Sequence, residues 1–189
     1  LMNLICAVFF LYYYPRDFYL LLFTIVTKTI YRVKVTLKKP LPQAGPTLVV
    51  SNHVSFLDPL ILTSGMNRPP IFVMDEYPYY HSKILKWFFV SSASIPITPA
   101  KICKDSLSLA MAKIVSRLNE GEMVALFPEG FLSKDGEIIP FKSGVERIAQ
   151  QVPNLQVIPV ALCGLWGSWF TKYGGKAMKG LPKRRNYRT

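Results

Sequence analysis

Acidic residues are few in this chain of 189: 11 aspartates and glutamates stand against 23 lysines and arginines, a formal net charge of +12. That surplus points to an anionic partner, either nucleic acid or a membrane surface. Cysteines are fewer still. Cys6, Cys103 and Cys163 are odd in number, far apart and outside any C-x-x-C or Cys/His cluster, which argues against a disulfide framework or zinc site and for a reducing, cytoplasm-facing compartment. The sequence has no G-x-S-x-G stretch to present a serine nucleophile, no internal repeat and no low-complexity tract. The uncharged opening run, residues 1–14, is too short to cross a ~30 Å hydrocarbon core, which needs about 20 apolar residues.

What is present is unusually apolar. Half of the residues are hydrophobic and 13% are aromatic. The mean hydropathy of +0.24 is high for a soluble domain, so some apolar surface is expected to face lipid. Apolar and basic together favour a membrane over nucleic acid. The length suits one domain with a sizeable core.

The apolar residues are densest at the start. LMNLICAVFFLYYY is followed, after the break at Pro15-Arg16-Asp17, by FYLLLFTIVT at 18–27. No basic n-region or small-residue cleavage site marks a signal peptide. Three readings compete: the last part of a transmembrane helix, since the chain opens on Leu1 rather than methionine; a helical pair in the membrane interface, with Tyr12, Tyr13, Tyr14 and Tyr19 at headgroup depth; or a plain core helix. A membrane-associating segment, on either of the first two readings, is the expectation for residues 1–30. A single domain over 31–170 and a basic tail over 171–189 are expected to follow.

From residue 32 the pattern is α/β. Strands are expected at 32–37, 47–51, 71–74, 94–97, 123–127 and 156–162, from alternation or from short β-branched runs bounded by Gly and Pro. Helices are expected at 59–64, 78–90, 104–119 and 143–151. Strands alternating with helices imply a mostly parallel sheet flanked by helices on both faces.

In such sheets the chemistry gathers at the carboxyl ends of strands. SNHVSFLDPL, at 51–60, closes the buried run 47–51 and carries His53 and Asp58. On one helix these two would sit about 140° apart, so a turn has to assemble them, with Asp58 suited as N-cap and Pro59 at N1 of the next helix. A carboxylate on one ring nitrogen fixes the tautomer and leaves the other nitrogen as a general base. Ordinary helix capping would use the same residues. The strand at 123–127 ends likewise in Phe127-Pro128-Glu129-Gly130, which alone reads as a turn.

Taken together, NHxxxxD with FPEG downstream resembles the glycerolipid acyltransferases of the 1-acylglycerol-3-phosphate acyltransferase (PlsC-like) family. The resemblance runs from about Tyr31 to Phe170 and includes Ile95-Pro96-Ile97, Pro140-Phe141-Lys142-Ser143-Gly144 and Val157-Ile158-Pro159-Val160. Phe72-Val73-Met74-Asp75 and Gly164-Leu165-Trp166-Gly167-Ser168 look most like the acyltransferase domain of bacterial lysophospholipid acyltransferases. There the domain can be fused to a lysophospholipid transporter ahead of it and an acyl-activating domain behind.

The resemblance implies a glycerolipid acyltransferase fold and transfer of an acyl chain from acyl-CoA or acyl carrier protein, as co-substrate, to a lysophospholipid or acylglycerol phosphate. No metal or other cofactor is implied. His53 would take the acceptor's hydroxyl proton, and Asp58 would orient the ring and balance its charge. Glu129 and Gly130 are implied in acceptor binding, with Asn52 grouped beside them. A carboxylate does not attract phosphate, so Glu129 is expected to hold a hydroxyl or a cation while backbone N–H groups face the anion. The implied place is the cytoplasmic face of the inner membrane, among phospholipids and lysophospholipids.

The chain departs from the family pattern in two places. Phe131-Leu132 stands where many members carry an arginine after Glu-Gly, and Ile95-Pro96-Ile97-Thr98-Pro99 lacks the arginine usual in the second motif. Lys101 and Lys142 are the nearest substitutes for a phosphate-binding arginine, although a lone lysine is more often a solvated charge. His81, in an aromatic stretch, is read as structural or interfacial. The tail carries Lys172, Lys176, Lys179, Lys183, Arg184, Arg185 and Arg188 without an acidic residue, suiting an anionic leaflet. Its aromatics are not interleaved with the charge as single-stranded nucleic acid would require. Two rivals stay open: a non-catalytic lipid-binding module of the same fold, and a lipid hydrolase drawing on Ser51 or Ser55.

Overall fold

The computed structural model describes residues 2–75, 83–98, 104–173 and 175. Helices α1 (Met2–Tyr13) and α2 (Pro15–Val26) lead through a single π turn, Thr27–Tyr31, into an extended segment. There follow β1 (Thr47–Ser51), α3 (Asp58–Ser64), β2 (Ile71–Asp75), α4 (Lys83–Ser91), β3 (Ile95–Ile97), α5 (Lys104–Asn119), β4 (Met123–Leu126), α6 (Gly144–Ala149) and β5 (Gln156–Val160).

The strands form one parallel sheet in the order β3-β2-β4-β1-β5. Side chains alternate across it as strand geometry requires. Leu48 and Val50 of β1 and Val124 and Leu126 of β4 share a cluster with Ala110, Ile114 and Leu118 of α5 and Ile148 of α6. Val49, Met123 and Ala125 pack on the other face with Leu62 of α3 and Phe72. Both faces are thus buried, which is why β1 and β4 are apolar nearly throughout. Each of the outer strands carries a proline, Pro96 in β3 and Pro159 in β5.

The strand order sets where a site can form. After β1 the chain passes over α3 to β2; after β4 it passes over α6 to β5 on the opposite side. The carboxyl ends of these paired central strands therefore flank a crevice where the connections part, the usual place for ligands in open α/β sheets.

The apolar start is a helical pair, two helices of 12 residues each. Among the described residues, no helix is long and apolar enough to cross a membrane. The first turn of α2 is tied to the amino ends of two strands. Arg16 grips both oxygens of Glu122 at 2.9 and 3.0 Å and the Pro69 carbonyl at 2.9 Å. Farther along, Tyr19 is buried and its hydroxyl lies 2.8 Å from Ser91 Oγ of α4. Phe9, Phe10, Tyr12, Tyr13, Leu21 and Ile25 remain exposed.

One expected strand is missing. Residues 32–37 alternate, yet they form neither strand nor bridge. Arg32 ends the π turn in the left-handed region at φ 49°, and Val33 and Val35 pack against Ile61 and Gly65 instead of pairing. Alternation alone supplies no partner for a strand's backbone groups. Of the expected helix at 78–90, residues 78–82 lie outside the described residues, as does His81.

Candidate active site

At the end of β1 the backbone is clamped to the segment after β5. Asn52 donates its Nδ2 to the Leu162 carbonyl at 3.0 Å and accepts the Leu162 N–H on Oδ1 at 2.7 Å. Both ends of this amide are engaged with backbone, so Asn52 sets the direction in which the chain leaves the sheet.

His53 opens a tight turn that Asp58 closes. The Asp58 carboxylate is fully buried, and its Oδ2 accepts His53 Nδ1 at 2.8 Å, Val54 N–H at 2.7 Å and Ser55 N–H at 2.8 Å. The N-cap expectation for Asp58 is therefore corrected. It is the first helical residue, with Leu57 as N-cap, and its side chain reaches back into the turn rather than forward to the helix N–H groups. A carboxylate can only accept, so Nδ1 carries a proton, and in the neutral ring it is Nε2 that presents a lone pair. Nε2 makes no hydrogen bond to the described residues. The ring, 19% exposed, lies flat on Phe127 with centroids 4.0 Å apart and planes 15° apart. It is thus held by one face and one nitrogen.

Phe127 introduces the second motif beside the first. Glu129, 1% exposed, accepts the His53 N–H on Oε1 at 2.8 Å and the Ile139 N–H on Oε2 at 3.0 Å. The structure differs here from the expectation that Glu129 holds a hydroxyl or a cation, since each oxygen already takes a backbone amide and the side chain is shut from solvent. Gly130 turns at φ +74°, and a Cβ there would collide with the Lys142 ammonium. That ammonium stands 4.5 Å from the centre of the Phe131 ring, while the Lys142 N–H donates to the Pro128 carbonyl at 3.0 Å. The exposed Phe131 has an amide that donates to no described residue.

The structure thus brings His53, Asp58, Glu129, Gly130 and Lys142 to one place at the carboxyl ends of β1 and β4, with Asn52 behind them. Lys101 lies outside the described residues, as do residues 174 and 176–189 of the tail. Ser51 and Ser55 are buried, and each donates its hydroxyl to a backbone carbonyl, which leaves neither placed as a nucleophile. Among the described residues, no group of three or more His, Cys, Asp and Glu side chains is arranged to hold a metal ion. A cleft of about 230 Å³ lined by Arg16, Arg68 and Glu122 lies at the amino ends of the strands, at the far end of the sheet from His53. There the Arg16 guanidinium holds the Glu122 carboxyl below its ordinary range, against the opposing effect of burial. Near the site, the Glu137 amide and the Ser133 hydroxyl do the same for Asp135.

Sequence reasoning missed the shelf under His53 and the loop that pins Glu129. Phe127 was legible as the last apolar residue before Pro-Glu-Gly, but nothing local marks it as a stacking partner. The amides of Ser133, which bonds the His53 carbonyl at 2.9 Å, and of Ile139 carry no side-chain signal at all.

Comparison with known proteins bears on the family and the fold. The family model described as Acyltransferase matches residues 32–163, more than half of the chain. A chloroplastic 1-acyl-sn-glycerol-3-phosphate acyltransferase of Brassica napus is 30% identical over 63% of this chain and 33% of its own length. The 1-acyl-sn-glycerol-3-phosphate acyltransferase of Borreliella burgdorferi is 25% identical over 69% of this chain and 51% of its own. The chain therefore spans between a third and a half of these relatives. The crystal structure of the 1-acyl-sn-glycerophosphate acyltransferase PlsC from Thermotoga maritima superposes with a TM-score of 0.56 at 23% identity, over 76% of this chain and 57% of that one, a likeness of fold. With the family model spanning both motifs, this chain belongs to the acyltransferase family.

Proposed function

We propose that the chain transfers an acyl group from a thioester, acyl-CoA or acyl carrier protein, to the free hydroxyl of a 1-acylglycerol-3-phosphate or related lysophospholipid. The observation that carries this reading is the Nδ1–Oδ2 bond of 2.8 Å between His53 and the buried Asp58, which supports a ring oriented with Nε2 as the base. His53 Nε2 takes the hydroxyl proton as the oxygen attacks the thioester carbonyl. Asp58 stabilises the imidazolium that forms. Collapse of the tetrahedral intermediate breaks the carbon–sulfur bond, and the proton passes from His53 to the departing thiolate, so no metal or redox group is needed for the balance. General-base assistance contributes roughly 10² to 10⁴ in rate. The names of the relatives support a phosphate-bearing acceptor. Lys142 and the Phe131 N–H supply a cation and a donor for that phosphate in place of the absent arginine.

The exposed apolar faces of α1 and α2 support a bilayer as the place of work, and the cytoplasmic face is part of the same proposal. A lysophospholipid stays dissolved in lipid, and apolar side chains held at the interface keep the enzyme near it. Association with transporter and acyl-activating domains belongs to the same proposal.

The test is thiol release from an acyl thioester, with and without lysophosphatidic acid in vesicles. Release that requires the acceptor, and falls by two or more orders of magnitude in His53→Ala at unchanged melting temperature, is the expected result. Release without acceptor would indicate hydrolysis. Vesicle binding without release would indicate a lipid-binding module.

A further inference from the structure

Every backbone N–H from 53 to 58 has a partner. Glu129 takes His53, Asp58 takes Val54 and Ser55, the Ser55 hydroxyl takes Leu57 at 3.2 Å, and the Ser55 carbonyl takes Asp58 at 3.1 Å. The amide of Phe56 is bound from elsewhere: it donates to the Phe170 carbonyl at 3.1 Å. Beside it Ser55 and Thr171 form an antiparallel bridge, and the Ser55 hydroxyl reaches the same Phe170 carbonyl at 3.4 Å.

This partner segment, residues 164–171, begins beyond the stretch that the family model matches, and it is built rather than loose. Ser168 N–H bonds Leu165 O at 3.0 Å, while Thr171 returns its N–H and its hydroxyl to Ser168 O at 3.1 and 2.8 Å. Leu165 is buried with Val54 and Ile61. Trp166 lies over Gly136, so closely that a Cβ there would stand 2.8 Å from the indole. Gly136 in turn donates to Ser133 Oγ at 2.9 Å, and Ser133 N–H holds the His53 carbonyl. One segment therefore touches both loops that carry the motifs.

We propose that residues 164–171 are a positioning strap for the reaction: through Phe170 and Trp166 they hold the His53–Asp58 turn and the Glu129 loop in register. The inference rests on the reading of His53 as general base. The strap meets no reacting atom, so its effect passes through the geometry of His53, where a displacement of about an ångström costs on the order of a hundredfold in rate.

The test is Trp166→Ala in the full chain, read by the downfield proton resonance of His53 Nδ1, assigned by its loss in His53→Ala, and by steady-state kinetics. The expected result is loss or broadening of that resonance, with kcat lowered about tenfold to a hundredfold, acceptor KM little changed, and recovery of both in Trp166→Phe. A wild-type resonance and kcat in Trp166→Ala would overturn the proposal, as would a Trp166→Phe variant no better than alanine. If Trp166→Ala does not fold, Thr171→Val, which removes only the hydroxyl bond to Ser168, takes its place: an unchanged resonance and kcat there overturn it equally. The resonance needs no turnover, so a chain that transferred no acyl group would still decide the question.

Discussion

Glu129 and His53 are joined through a backbone amide: Glu129 Oε1 accepts the His53 N–H at 2.8 Å, while its second oxygen holds Ile139. The carboxylate is a pin between two loops. Glu129→Gln keeps one acceptor but turns an NH₂ group toward an N–H donor, leaving a buried donor without a partner. A loss of about 1–3 kcal/mol in denaturant unfolding is expected, with kcat falling more than acceptor KM rises. A variant of wild-type stability with only a raised KM would show that Glu129 meets the substrate instead.

Asp58 separates two effects that a helix cap would merge. Asp58→Ala leaves two buried amides and the His53 ring without their acceptor, so its cost in unfolding should exceed the roughly 0.5–2 kcal/mol of a lost cap. Asp58→Asn retains an acceptor oxygen and should recover much of that stability. It removes the charge that balances the imidazolium, so its kcat is expected to stay low. Calorimetry beside initial rates distinguishes the two, and full activity in Asp58→Asn would contradict the assigned role.

Lys142 places its ammonium 4.5 Å from the ring of Phe131, the residue that follows Glu-Gly where many family members carry an arginine. Lys142→Ala is expected to raise acceptor KM about tenfold or more, the size of one charge-assisted hydrogen bond, for an acceptor with a terminal phosphate. An acceptor whose phosphate is esterified should respond less. Lys142→Arg should restore binding. Equal KM values across the three proteins would leave Lys142 as a surface charge resting on Phe131.

The seam between α2 and the sheet is pH-dependent. Arg16 holds the Glu122 carboxyl below its ordinary range, so the folded state favours the ionised form. The stability this contributes is present above the unfolded-state pKa and is lost as pH falls through the lower, folded-state value. Unfolding midpoints across that acidic range should decline more steeply for the wild type than for Glu122→Gln. Coincident profiles would mean the ion pair adds nothing to the docking of α2.

Most of the fold was legible because its strands are short apolar runs punctuated by Gly and Pro. The runs at 47–51 and 123–127 are buried on both faces, and their ends carry the two motifs. The expected helix at 104–119 is present as α5 and ends where expected, since an amphipathic stretch stopped by Gly121 leaves little choice. Residues 32–37 misled because period-2 alternation also suits a segment whose valines cover a helix. The pairing of His53 with Asp58 was foreseeable from residue chemistry, whereas the tie between Glu129 and the His53 amide was not. Backbone donors look alike at every position, and only topology determines which of them meets a buried carboxylate.

Both outer strands of the sheet carry a proline within their paired register. Pro96 pairs with Met74 at one border, and Pro159 pairs with Val50 at the other. Proline has no N–H to give, and its ring stands where an arriving strand would need close approach. With aromatic residues exposed along its first helices, the protein faces a standing hazard of self-association. The two prolines make each flank of the sheet a poor template for a stray β-segment, so that growth into fibrous aggregates is discouraged on both sides at once.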